Sequence, residues 1–219
     1  EMERNNIHLD IFNYIAKPTK NFIAEKNAGY QSNVSFLYLS KKDGKFLFSK
    51  LGFPLDRKIV KKQFLDETDA AGEYYGGNEM SFQREYDILQ MLYKIPHFPW
   101  ILSSDTEHKI LYTTFNGTPL TPKNVPKDWK NQLRIIFDTL HSLHIFHNDV
   151  RVRNFLVHKQ QLYLIDFGFS IFYIDENKNH LIDEKNQDCI IGSTRFMSYF
   201  IYEGYKPYRR DDLISISYI

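Results

Sequence analysis

The first half of the chain is built from short apolar runs, too brief for helices and rich in aromatic or β-branched residues. Phe22–Glu25, Val34–Leu39 and Phe46–Lys50 read as strands on that pattern. Lys41-Lys42-Asp43-Gly44 separates the last two, and an Asp-Gly pair favours a tight hairpin turn there. From Asp56 to Asn78 the chain becomes polar and carries Gly72, Gly76 and Gly77, the pattern of an inserted surface loop. Helical spacing follows: Phe82, Tyr86, Leu89 and Tyr93 form a stripe widened by Ile88 and Leu92, which predicts a helix over about 79–93. Ile110–Phe115 reads as one more strand, ending at Asn116-Gly117.

Beyond that point the period changes. Trp129, Leu133, Ile136, Leu140 and Leu143 mark an amphipathic helix. Two short strands come next, Phe155–Val157 and Leu162–Ile165, joined by a polar turn. A strand-rich part with one helix therefore precedes a more helical part. The boundary falls near residues 113–118, dividing the chain into 1–113 and 114–219, and a cleft between two such lobes is a common ligand site.

Composition narrows the partners. With 219 residues, 42% of them hydrophobic, the chain has room for one domain or two small lobes. A formal charge of +1 gives no general attraction to nucleic acid or to anionic membranes, so neither is an expected partner. No apolar run reaches the roughly 18–20 residues of a membrane span, and the N-terminal residues lack a signal-peptide pattern. Cys189 has no second cysteine to pair with, so an intracellular location, cytoplasmic or nuclear, is expected. The apolar run Leu213–Ile219 closes the chain with no stop signal and reads as a cut segment.

The informative stretch is His147-Asn148-Asp149-Val150-Arg151-Val152-Arg153-Asn154, followed by Asp166-Phe167-Gly168. A loop bearing Asp149 and Asn154 precedes a hairpin whose far strand leads to Asp166, so three oxygen-bearing side chains reach one spot. Such hard oxygens suit Mg²⁺, which binds through few carboxylates together with substrate phosphates. Phosphoryl transfer asks for little more than metal, positioning and an acceptor for the hydroxyl proton. Glu85 shares the apolar face of the 79–93 helix, where an unpaired carboxylate would be costly; a lysine from a neighbouring strand resolves that cost, unless Glu85 stands solvated at the edge of the stripe.

These residues resemble the protein-kinase catalytic loop H-R-D-x-x-x-x-N and the metal-binding D-F-G. Gly192-Ser193-Thr194-Arg195-Phe196-Met197-Ser198 and Arg209-Arg210-Asp211-Asp212-Leu213 are similar to G-T-A-R-Y-A-S and R-R-D-D-L of the casein kinase 1 family. Asn154-Phe155-Leu156, Ile165-Asp166-Phe167-Gly168 and Gly117-Thr118-Pro119-Leu120 extend the likeness, which covers roughly residues 22–219 apart from the 56–78 insertion. The resemblance implies an α+β, bilobal protein-kinase-like fold, with a β-rich N-lobe holding one key helix and an incomplete, mainly helical C-lobe.

It also implies roles. Asp149 would accept the substrate proton, Lys50 would stand in the place of the V-A-I-K lysine and pair with Glu85, and Arg151 would neutralise the transferring group. Asn154 and Asp166 would hold Mg²⁺. Asn27, Gly29 and Ser32 fall at the glycine positions of G-x-G-x-x-G-x-V, with Val34 as its valine. Only the middle glycine is present, and Asn27-Ala28-Gly29 reads equally well as a plain strand turn. Thr113 falls at the gatekeeper position, and Thr114 and Asn116 at the hinge that meets adenine. Asp212 would cap the catalytic loop from a buried helix.

The implied activity is ATP- and Mg²⁺-dependent phosphorylation of Ser/Thr hydroxyls on a protein substrate, acidic or pre-phosphorylated. Arg195, Arg209 and Arg210 would serve such a substrate, or else form structural ion pairs. Asn148 replaces the H-R-D arginine, which argues against control by an activation-loop phosphate. The partial glycine motif leaves a non-catalytic kinase-like module as the rival. A small-molecule phosphotransferase is the third reading, and the two C-terminal motifs argue against it.

Overall fold

A computed structural model describes residues 27–28, 32–38, 58–65, 77–114, 117–174, 179 and 195–219. They divide into two compact units, one drawn from residues up to 94 together with 99–115, the other from 95–98 and 116 onward.

Five antiparallel strands make the sheet of the first unit: β1 (Asn27–Ala28), β2 (Ser32–Tyr38), β3 (Lys58–Phe64), β4 (Ile101–Asp105) and β5 (Ile110–Thr114). Their order is β1-β2-β3-β5-β4. The polar region expected to be a loop thus contains a sheet strand. Lys58-Ile59-Val60-Lys61-Lys62-Gln63-Phe64 pairs with β2 along its whole length and with β5 from Ile59 to Gln63. Its lysines disguise the strand, because polarity was read without period: Lys62 and Phe64 share one face, and Phe64 is buried. Strand β2 has β1 and β3 as neighbours, while Phe46–Lys50 and the Asp43-Gly44 turn lie outside the described residues.

Among the described residues of this unit, the helix α1 (Gly77–Met91) matches the predicted stripe. Phe82, Ile88, Leu89 and Leu92 are buried together with Ile59, Ile101 and Leu111. Burial of each such side chain is worth roughly 1.5–3 kcal/mol. Phe82 meets Phe64 edge-on with ring centroids 5.6 Å apart, which seats the helix on β3. The β4–β5 hairpin was not evident in the sequence, because Ser103, Ser104 and Asp105 mask its alternation. Asp105 closes its turn by accepting from the His108 amide at 3.0 Å.

In the second unit the amphipathic stripe becomes α2 (Trp129–Ser142), after a short β6 (Thr118–Pro119). Leu133, Ile136, Phe137 and Leu140 face the core, and so does Gln132. That buried amide is satisfied: Gln132 Oε1 accepts from the Leu162 amide at 2.7 Å, and Nε2 donates to the Gln160 carbonyl at 2.9 Å. It thereby pins α2 to the hairpin β8 (Phe155–His158) and β9 (Gln161–Leu164), which meet the two predicted strands. Gly117 has φ +109 and packs so tightly that a Cβ there would stand 2.1 Å from the Val157 carbonyl oxygen. Two small elements complete the site's frame: β7 (Ile145–Phe146) pairs with β10 (Ile171–Phe172). Helices α3 (Tyr199–Tyr202) and α4 (Arg209–Ser217) follow.

Residues 95–98 run between α1 and β4 yet belong to the second unit. His97 explains this. Its carbonyl accepts from the Leu164 amide at 3.0 Å and its Nδ1 lies 2.7 Å from the Leu162 carbonyl, so it docks on β9.

Candidate active site

The loop from β7 to β8 is held by buried polar contacts rather than by regular structure. His147 is fully buried, with its ring edge-on to Phe167 at 5.2 Å. Nε2 lies 3.0 Å from the Ile165 carbonyl, which can only accept, so that nitrogen carries the proton. Nδ1 is then the acceptor for the Asp149 amide, 3.3 Å away. Asn148 follows with φ +62, a left-handed conformation that Asn tolerates better than most residues.

From α4, Asp212 reaches back beneath this loop. One carboxylate oxygen accepts from the His147 amide at 2.8 Å, and the other accepts from the Asn148 amide at 3.0 Å. His141, near the end of α2, adds a third contact at 3.3 Å. A buried carboxylate needs such donors, and here two of them are backbone amides that would otherwise be orphaned. The capping contact that the family resemblance implied for Asp212 is present in the structure.

Asp149 is itself buried, at 5% exposure, at the mouth of the loop. Asn154 donates through Nδ2 both to the Asp149 carbonyl at 2.8 Å and to its carboxylate at 3.0 Å. Arg151 Nη2 sits 3.0 Å from the same carboxylate oxygen. Burial pushes the Asp149 carboxyl above its ordinary range; Arg151 and Asn154 pull the other way, and the nearby Asp166 charge adds to the rise. Asn154 ends a 3-10 turn, Val152–Asn154, and its carbonyl accepts from the Ile165 amide at 3.0 Å. That bond places Asp166, at φ +71, beside the loop. With its amide hydrogens turned to Asp149, Asn154 leaves its carbonyl oxygen for other contacts. An amide oxygen and the Asp166 carboxylate are the hard donor set that Mg²⁺ takes.

In the first unit, Glu85 is buried on α1 rather than solvated at its edge, and it meets Lys62 of β3, Nζ to Oε2 2.6 Å. The sequence reading gave this partnership to Lys50, which lies outside the described residues. The sequence carries a signal for Lys62 that was passed over: Ile59-Val60 precede Lys61-Lys62 on one short strand. Lys62 Nζ also lies 4.8 Å from the centre of the Phe64 ring, on the face that Phe64 shares with Phe82.

The nucleotide-loop residues are less fully described. Asn27 pairs across strands with Val34, which in turn pairs with Lys62 on the other side. Ser32 pairs with Phe64, and Gly29 lies outside the described residues. Thr114 is buried at the end of β5; its amide donates to the Trp100 carbonyl at 3.0 Å and its hydroxyl accepts from the Trp100 amide. Asn116 is outside the described residues.

His141, His144 and His147 recur every three residues but separate in the fold: His141 meets Asp212, His144 meets Tyr173 edge-on, and His147 belongs to the loop. Among the described residues no group of three His, Cys, Asp or Glu side chains forms a metal cage. Arg209 lies over Tyr173 and Arg210 over Phe200, while Arg195 is exposed beside Phe196. Cys189 lies outside the described residues, and no helix among those described is long and apolar enough to cross a membrane.

Comparison with curated proteins finds a likeness to a kinase. No family model matches the chain. A casein kinase I homolog 2 of Schizosaccharomyces pombe is 27% identical over 109 residues, 47% of this chain and 25% of that protein. The chain is similar to a kinase. It spans about a quarter of the length of that curated relative, and the likeness is weak and partial. The mixed α/β architecture, with an antiparallel sheet and the packed helix α1 among the described residues of the first unit, is compatible with a kinase N-lobe.

Proposed function

We propose that the chain carries the catalytic groups of an ATP-dependent protein kinase that phosphorylates serine and threonine hydroxyls. The observation that carries this reading is the environment of Asp149: a buried carboxylate of raised proton affinity, held by Asn154 and Arg151 on a loop capped by Asp212. A carboxylate adjusted toward neutral pH is a better general base than an exposed one.

In the reaction, the substrate oxygen forms a bond to the γ-phosphorus while the bond from that phosphorus to the β-γ bridging oxygen breaks. The hydroxyl proton passes to Asp149, and ADP leaves. Lys62, fixed by Glu85, would bind the α- and β-phosphates in the role first given to Lys50. Arg151 would offset charge on the group in transit, turning from Asp149 to phosphate. A planar guanidinium does this with directed bonds, unlike an ammonium. Asn154 and Asp166 would hold Mg²⁺, which supplies charge neutralisation at the phosphates when bound. Protein substrates of acidic or pre-phosphorylated type, and an intracellular setting, complete the proposal.

Binding tests the nucleotide half of this reading. A ligand present at 100 times its Kd stabilises the folded state by about 2.7 kcal/mol. Mg²⁺-ATP should therefore raise the melting temperature of the wild type by several degrees, and Lys62→Met should abolish that shift. No shift at millimolar Mg²⁺-ATP would contradict the proposal.

A further inference from the structure

The Asp149 loop and the Asp166 turn are tied together by bonds that no catalytic role explains. Asn148 Nδ2 donates to the Phe169 carbonyl at 3.2 Å. Ser170, fully buried, donates through its hydroxyl to the His147 carbonyl at 3.1 Å. The two bonds run in opposite directions, one from each segment. Both join the stretch just before Asp149 to the stretch just after Asp166.

Asn148 is further constrained by its backbone. Its amide is held by Asp212, and its φ is +62. An Asn tolerates that conformation, and its short amide side chain loses less entropy on ordering than a longer one reaching the same carbonyl would. Ser170 also donates its amide to the Phe167 carbonyl at 3.0 Å, closing the turn that carries Phe167 and Gly168. Downstream, the Tyr173 amide donates to the His144 carbonyl at 3.0 Å, and β10 pairs with β7. The segment after Asp166 is thus fastened at its start by Asn148 and Ser170 and farther on by β7.

We infer that Asn148 and Ser170 are positioning residues that latch the Asp166 turn to the Asp149 loop, so that their relative placement is fixed by neutral side-chain bonds within the chain. Neither residue touches the reacting atoms. A catalytic centre whose acidic groups come from two segments gains from such a latch, because small misplacement of a reacting group is costly in rate. The kinetic consequence rests on the phosphoryl-transfer reading; the structural consequence does not.

Two variants test this without backbone strain. Asn148→Gly keeps the positive φ and removes only the side-chain bond, and Ser170→Ala removes the hydroxyl. Amide hydrogen exchange at Ser170 and Tyr173 reads the latch directly. Each variant should speed exchange there by about fivefold, the effect of losing one net hydrogen bond. Their kcat for transfer from ATP should fall about tenfold with KM for ATP held within twofold, a split that general destabilisation would not produce. Unchanged exchange in both variants overturns the inference, and so does faster exchange with an unchanged wild-type-like kcat. Faster exchange in variants of a chain whose wild type transfers no phosphoryl group would support the latch while removing the kinase reading.

Discussion

Asp149 shows at the residue scale how a site can cost stability. Its carboxyl is raised by burial, so between its ordinary pKa and the raised value the folded chain holds more protons than the unfolded one. Stability must then fall as pH rises through that window, and the penalty persists above it. Asp149→Asn removes the charge while keeping an oxygen for Asn154. The variant should therefore melt no lower than the wild type at pH 7, and the difference should shrink as pH drops toward about 4. Melting curves of both proteins across pH 4–7 check this; a variant clearly less stable at pH 7 would show that the carboxylate is structural. The placement of Asp149 beside Asn154 was legible because a motif survives in the order of residues. That Lys62 meets Glu85 was not, because it depends on which strand lies beside α1, and that is a tertiary fact.

Elements place these residues, and two contacts between elements matter most. Helix α4 supports the Asp149 loop through Asp212. Asp212→Ala would leave the buried His147 and Asn148 amides without acceptors, at a cost of about 1–3 kcal/mol each. Chemical denaturation should show a fall of about 2 kcal/mol or more, and Asp212→Asn a smaller one. At the other end of the hairpin, Gly117→Ala places a Cβ against the Val157 backbone at φ +109. Strain of that kind costs roughly 1–3 kcal/mol, so a drop of several degrees in melting temperature is expected; no drop would mean the β6–β8 contact is loose. Sequence periodicity revealed α1, α2, β5 and the β8–β9 hairpin, where the apolar face is uninterrupted. It missed β3 and β4, whose lysines and serines occupy strand positions that pairing and neighbouring charge stabilise. The two-residue strands β7 and β10 carry too few residues for any period to register.

For the molecule as a whole, each of the two units holds its own buried polar group. One contributes the buried Lys62–Glu85 pair, the other the Asp149, Asn154 and Asp166 group. The hydrophobic pattern anticipated a strand-rich part and a helical part, but not that residues 95–98 would leave the first to dock on β9 through His97. A left-handed His flanked by Pro96 and Phe98 gives no periodic signal. The central claim is the proposed one, phosphoryl transfer with Asp149 as the base. The most direct measurement is the initial rate of ³²P transfer from γ-labelled ATP to casein by the wild type and by Asp149→Asn at equal concentration. The account predicts measurable incorporation by the wild type and a loss of about 10²-fold or more in the variant, the usual contribution of a general base. Equal incorporation by the two proteins, or none by a folded wild type that binds Mg²⁺-ATP, would contradict it.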